Sequence, residues 1–135
     1  MNFHNLKKIS FERNDKNFRI FNIFIFIISL FLHFLKNLLF KSPNWFFAFY
    51  FSDLLASIVL FSFLNALFPV KLTNIYLLLF ITAIASFVWE YIALFIKNGA
   101  VFDLNDVVCY FISCLIYIVL IKIYSYFLNK SLIKS

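Results

Sequence analysis

Charged residues are scarce in this chain and glycine is almost absent. Charged side chains account for 13% of the 135 residues, and a single glycine is present. Hydrophobic residues make up 64% of the chain, so a soluble domain would have too little polar surface to cover its core. The composition therefore excludes an ordinary water-soluble protein and indicates a membrane protein with one domain.

The motifs of common enzyme and metal sites are also missing from the sequence. The two cysteines, Cys109 and Cys114, lie in one apolar stretch without the CxxC spacing of metal ligands. There is no HExxH, no GxSxG and no glycine-rich phosphate loop. The sequence thus predicts no metal and no cofactor, and it leaves open whether the chain is an enzyme.

The formal net charge of +6 does not indicate nucleic-acid binding. A nucleic-acid interface needs a basic face on a soluble fold, whereas the positive charges here lie at the ends of apolar stretches, where they orient a membrane protein. We expect membrane lipids as partners and no nucleic acid. A hydrophobic bundle this small is also a candidate for homo-oligomerisation or for a membrane-protein partner, although GxxxG is absent.

Four long apolar stretches follow a basic N-terminal tail at residues 1–19. Each is continuously apolar and lacks the alternation of strands, which favours membrane-spanning helices. The predicted spans are 20–40, 45–68, 75–96 and 106–128. The sequence therefore predicts an all-α, four-helix transmembrane bundle formed by residues 20–135. Most Lys and Arg residues fall in the tail, the second loop and the C-terminus, so both termini are expected to be cytoplasmic.

Acidic residues from separate segments fall at one depth in this topology. Asp53 lies about 12 Å and Glu90 about 9 Å from the outer ends of their spans at helical rise. Asp103 and Asp106 stand at the outer start of the last span, and His33 lies near the outer end of the first. Because carboxylates are unfavourable inside a bilayer, their convergence predicts an outward-facing acidic pocket.

Helical spacing places small and polar residues on one face of each span. Such a face in a membrane helix is the one that contacts other helices. The third span carries Thr82, Ser86, Glu90 and Lys97 on this face, and the fourth carries Asp106, Tyr110, Ser113 and Tyr117. The pattern predicts a compact bundle with a polar interior toward the outer leaflet.

The candidate functional residues follow from these two patterns. The candidate catalytic residues are Glu90, Asp106 and Asp53, and the candidate ligand-binding residues are His33, Tyr110, Asp103, Ser86 and Lys97.

Structural interpretations of the same residues stay open. Asp103 and Asp106 also fit an N-cap with an acid three positions later, and His33 fits an interhelical hydrogen bond. Lys36 and Lys97 fit lysines that extend to the membrane surface.

The segment from Trp89-Glu90 through Asn98-Gly99 to Phe102-Asp103-Leu104-Asn105-Asp106, with Tyr110 and Ser113, resembles the signature of VanZ-like membrane proteins. The family's Glu, Asp and Asn or Tyr positions map to Glu90, Asp106 and Tyr110. The chain has Ala93 and Ser113 where the family often has Gln and Gly. The resemblance implies a multi-pass protein of the bacterial cytoplasmic (inner) membrane.

Three functions are consistent with the sequence. In the first, the outward-facing pocket binds or acts on a cell-envelope component, with Glu90 as the central acid or base. In the second, the chain is a structural or accessory subunit whose acids only fix helix packing. In the third, it is a small proton- or cation-coupled transporter, which is disfavoured because the acids cluster at one side and no broken helix is evident.

Overall fold

The computed structural model describes residues 12–39 and 45–134 and consists of four α-helices. They are α1 (Lys16–Leu39), α2 (Trp45–Leu67), α3 (Ile75–Ile96) and α4 (Leu104–Lys134). Each is long and apolar enough to cross a membrane. The predicted all-α architecture with four candidate spans is therefore confirmed for the described residues. Residues 1–11 of the predicted tail lie outside them.

Two helices are longer than the apolar patterns indicate. α1 begins at Lys16 rather than near Ile20, because the Asp15 carboxylate accepts a hydrogen bond from the Phe18 N–H at 3.3 Å and so caps the helix. α4 continues to Lys134 rather than ending near Leu128. The sequence has no proline or glycine after Gly99 that would stop it.

The turns beside α3 have the residues that their geometry requires. Asn74 caps the start of α3 and accepts from the N–H groups of Tyr76 and Leu77. After α3, the chain turns at Gly99, whose φ of +81° is a conformation that side chains with a Cβ rarely adopt. These turns let α3 pass back along the bundle.

α4 is the helix on which both α2 and α3 pack, and α1 packs on α2. The buried residues of α3 are Leu78, Thr82, Ser86 and Glu90, which are spaced four apart. On α4, Tyr110, Ser113 and Tyr117 are buried as well. The predicted contact faces are confirmed at these polar residues, whereas Lys97 is exposed and Asp106 is only partly buried.

A fully buried polar network joins three helices toward the end of the bundle that holds the α2–α3 loop. The Asn65 side chain donates to the Tyr117 hydroxyl at 2.7 Å, and Tyr117 donates to the Asn22 side chain. Asn65 also pairs with both backbone groups of Leu72, donating to its carbonyl at 3.0 Å and accepting from its N–H at 2.7 Å. Asn65 thus holds the α2–α3 loop against the core.

The residues before α1 pack against the same loop. Asn14 is buried, and its side-chain amide donates to the carbonyls of Asn65 and Phe68 at 2.6 and 2.8 Å. The Asn14 N–H donates to the Pro69 carbonyl, and Arg13 forms an isolated β-bridge with Val70. The start of α1 and the α2–α3 loop therefore lie together at one end of the bundle.

The ion pair at this end predicts a pH-dependent stability. The Lys71 ammonium, 2.6 Å from the Asp15 carboxylate, holds the pKa of that carboxyl below its usual value. The pair therefore stabilises the fold above the unfolded-state pKa of about 3.9, and this stabilisation is lost as the pH falls through the lower folded-state value.

We expect Asp15→Asn to lower the stability at pH 6 by at most about 1 kcal/mol, because the pair is partly exposed. The difference between the wild type and the variant should be smaller at about pH 2 than at pH 6 in thermal unfolding followed by circular dichroism. An equal difference at both pH values would contradict the role of the ion pair.

Candidate functional site

Four acidic residues from three helices and a loop meet at the other end of the bundle. Asp106 interacts electrostatically with Asp53, Asp103 and Glu90, and it forms a side-chain hydrogen bond with Asp53. Asp53 also hydrogen-bonds the Tyr110 side chain. We call Asp53, Glu90, Asp103 and Asp106 the acidic cluster, and the end of the bundle that holds it the acidic end. The structure thus brings together the carboxyl groups that the sequence placed at one depth.

Asp103 has a clear structural task within the acidic cluster. Its carboxylate accepts from the Asn105 N–H at 2.8 Å, which caps α4, and from the Tyr50 hydroxyl at 2.9 Å. The capping interpretation of the sequence is confirmed for this residue. The bond from Tyr50 in addition fastens the start of α4 to α2.

Glu90 is the most buried member of the acidic cluster. It is 5% exposed, and its carboxylate accepts from the Asp103 N–H at a distance of 3.4 Å, which is long for a hydrogen bond. It lies on the buried face of α3, one turn after Ser86. A carboxyl group buried this deeply is unfavourable unless its surroundings compensate it, so Glu90 is a strong functional candidate.

A cavity of about 680 Å³ opens beside the acidic cluster. α2 and α3 form its walls, with contributions from α1 and α4. The lining residues are Phe26, Ser52, Asp53, Ala56, Ser57, Val59, Leu60, Phe63, Thr82, Ala85, Ser86, Trp89 and Tyr110. Phe63 and Trp89 are themselves 43% and 59% exposed, so the cavity is open at the side of the bundle rather than sealed.

The lining changes character along the cavity. Ser52, Asp53 and Tyr110 lie at the acidic end, whereas Leu60 and Phe63 lie deeper along α2. The distance from Ser52 to Phe63 corresponds to about 16 Å at helical rise. The cavity is therefore long, with one polar end and one apolar end.

Two predicted site residues neither line this cavity nor belong to the acidic cluster. His33 lines a second cavity of about 260 Å³, which shares Ser52, Ala56 and Val59 with the first, and its ring packs edge-on against Phe34. Lys97 is exposed where α3 ends. The predicted ligand-binding residues Ser86 and Tyr110 do line the main cavity.

The structure adds one residue, Lys36, to the candidate functional site. The Lys36 ammonium donates to the Ser52 hydroxyl at 2.7 Å and interacts electrostatically with Asp53. Lys36 thus turns toward the acidic end instead of only extending to the membrane surface. A lysine at the end of a span can extend to the membrane surface or turn toward the interior of the bundle, and the sequence spacing does not distinguish these two positions.

Among residues 12–39 and 45–134, no group of three or more His, Cys, Asp and Glu side chains is arranged to hold a metal ion. The carboxyl groups of the acidic cluster instead contact hydroxyl, amide and other carboxyl groups. Groups in such contacts can form hydrogen bonds and transfer protons.

No protein-family model matches this chain. Neither a curated protein nor a solved structure matches it.

Proposed function

We propose that this chain is a VanZ-like integral membrane protein whose acidic cavity binds, or acts on, a component of the bacterial cell envelope. One observation carries the proposal: Asp53, bonded to Tyr110 and Asp106, stands at the polar end of an open cavity among four candidate membrane spans. Pockets with few polar groups in apolar walls are typical of ligand sites. The resemblance around Glu90, Asp106 and Tyr110 supports the same assignment.

The proposed roles follow the positions of the side chains. Asp53 contacts the ligand because it lines the cavity directly. Asp106 and Tyr110 orient the Asp53 carboxylate through their hydrogen bonds. Glu90, buried behind them within range of their charges, serves as the central acid or base.

We further propose that the protein resides in the bacterial inner membrane with both termini in the cytoplasm and the acidic end outward. The distribution of Lys and Arg supports this orientation. The start of α1, the α2–α3 loop and Lys71 lie together at the end opposite the acidic cluster. A reporter that is active only in the cytoplasm should therefore be active when fused to the C-terminus. A reporter that is active only after export should be inactive at the same position.

Asp53→Asn tests the proposed function most simply. A strain lacking the protein should show altered sensitivity to detergents or to cell-wall antibiotics, and the wild-type chain should restore it. We expect Asp53→Asn to restore less than a tenth of the effect at unchanged membrane abundance. Asp15→Asn, the matched change at the opposite end, should restore it fully. Full restoration by Asp53→Asn would contradict the proposal.

Hydrogen bonds between α2 and α4 favour a second candidate, an accessory subunit whose acids only fix the packing. Ser57 donates to the Tyr110 carbonyl at 2.8 Å, and the Ile58 N–H donates to Ser113 at 3.1 Å. Together with the bond from Tyr50 to Asp103, these contacts fasten the two helices. In this case Asp53→Asn would lower membrane abundance and function together.

A further inference from the structure

We propose that the cavity between α2 and α3 binds a zwitterionic lipid with a primary ammonium head group, placing the ammonium at Asp53 and an acyl chain along Leu60 and Phe63. This inference rests on the proposed function and names the ligand class of the same cavity. The ligand chemistry follows from the shape of the cavity, its charges and its hydrogen-bonding groups.

The shape of the cavity suits an amphiphile held within a membrane. Its polar end is at Asp53, and its lining extends about 16 Å along α2 to the apolar end at Phe63. It opens at the side of the bundle, past the exposed rings of Phe63 and Trp89. A lipid can therefore enter from the bilayer with its chain against the apolar wall. A fully polar solute would leave this wall without an apolar contact.

Charge complementarity selects a cationic group for the polar end. Asp53 is the acidic residue that lines the cavity, and Glu90 adds negative charge behind it. The described arginines, Arg13 and Arg19, lie near the start of α1 at the opposite end. An anionic head group would meet repulsion here, whereas an ammonium would be attracted.

Three hydroxyl groups of the cavity present acceptors rather than donors. Ser57 donates its proton to the Tyr110 carbonyl at 2.8 Å. Thr82 and Ser86 donate theirs to the carbonyls of Leu78 and Ala83, at 2.9 and 3.0 Å. The oxygens of these three groups therefore face a ligand as acceptors, which favours a ligand with N–H donors. A primary ammonium has three such donors, and a trimethylated one has none.

Lys36 accounts for the zwitterionic character of the proposed lipid. Its ammonium lies 2.7 Å from the Ser52 hydroxyl, and Ser52 precedes Asp53 and also lines the cavity. A positive and a negative group thus stand side by side at the polar end. A head group with a phosphate next to an ammonium matches this pair, with the phosphate toward Lys36.

Competition binding tests the ligand class on the purified full-length chain in detergent. The probe is a phosphatidylethanolamine with a fluorescent acyl chain, displaced by unlabelled lipids. We expect phosphatidylethanolamine to compete at least tenfold better than phosphatidylcholine, which lacks N–H donors, and phosphatidylglycerol, which lacks the ammonium. Phosphoethanolamine without acyl chains should compete at least a hundredfold less well. Equal competition by the three lipids would overturn the proposal.

Two variants separate the head-group contact from the acyl-chain contact. Asp53→Asn should remove the preference for phosphatidylethanolamine over phosphatidylcholine. Ala85→Phe places a large side chain in the cavity and should weaken the binding of all three lipids at least tenfold. Ile84→Phe is the matched control, because Ile84 is the neighbouring residue, is 50% exposed and does not line the cavity. Unchanged binding by Ala85→Phe would show that the probe binds elsewhere and would overturn the proposal.

Binding and complementation together distinguish the two proposals. If Asp53→Asn loses the envelope phenotype while the wild type shows no lipid preference, the ligand class is wrong and the proposed function stands. If Asp53→Asn loses the lipid preference and still restores the phenotype, the ligand class stands and the proposed function is wrong.

Discussion

Asn65→Leu is expected to lower the free energy of unfolding by about 2–5 kcal/mol. Asn65 is fully buried and satisfies both backbone groups of Leu72 as well as the Tyr117 hydroxyl. Leucine has a similar size and no hydrogen-bonding group, so the Leu72 N–H and C=O would stay buried without partners. Each such group costs about 1–3 kcal/mol.

Unfolding in mixed detergent and SDS, followed by circular dichroism, measures this loss. Asn129→Leu is the control, because Asn129 is an exposed asparagine toward the end of α4. We expect the control to change stability by less than about 0.5 kcal/mol. A loss for Asn65→Leu no larger than that of the control would contradict the structural role of the network.

Glu90→Gln is expected to abolish the envelope phenotype while the protein stays folded and abundant. Glu90 is 5% exposed, and the hydrogen bond that its carboxylate accepts from the Asp103 N–H is 3.4 Å long. A glutamine oxygen can accept the same bond, so little packing is lost. The substitution removes only the ability to take up and release a proton, which an acid or base requires.

The readouts are complementation of the deletion strain and quantitation of the protein in isolated membranes. Ser62→Ala serves as the control for small polar changes within the core, because Ser62 is buried, donates to the Ile58 carbonyl of its own helix at 2.6 Å and does not line the cavity. We expect Glu90→Gln to reduce complementation at least tenfold and the control less than twofold. Loss of abundance in Glu90→Gln would instead support the accessory-subunit interpretation.

The sequence predicted the polar end of the bundle because two periodicities agree there. Span lengths set the depth of Asp53 and Glu90, and helical spacing set their faces. The burial of Thr82, Ser86 and Glu90 on one face of α3 follows directly from a spacing of four. Patterns within single helices were therefore sufficient for this part of the site.

Contacts between helices could not be predicted in the same way. The position of His33 in a second cavity depends on how α1 is rotated against α2, and α1 has polar residues on more than one side. The pairing of Asn65 with Leu72 depends on the path of a loop. Spacing within one helix carries no information on either.

The start of α1 shows a further limit of composition. Residues 1–19 are polar as a group, which suggested a tail that ends before the first span. Asn14 is nevertheless buried, and α1 begins at Lys16. A single capping carboxylate at Asp15 and the ion pair with Lys71 determine this boundary, and neither alters the average composition.

The cavity beside the acidic cluster is expected to be open to ligands. Cysteine accessibility at Ala56 tests it most directly, because Ala56 lines the cavity without taking part in the acidic cluster. In a chain with Cys109 and Cys114 replaced by alanine, Ala56→Cys should react in intact cells with a cationic methanethiosulfonate. The reaction of Ala56→Cys with the cationic reagent should be at least tenfold faster than its reaction with an anionic methanethiosulfonate. Ile84→Cys, outside the cavity, should be inert to both. An inert Ala56→Cys, or equal rates for the two reagents, would contradict an open acidic cavity.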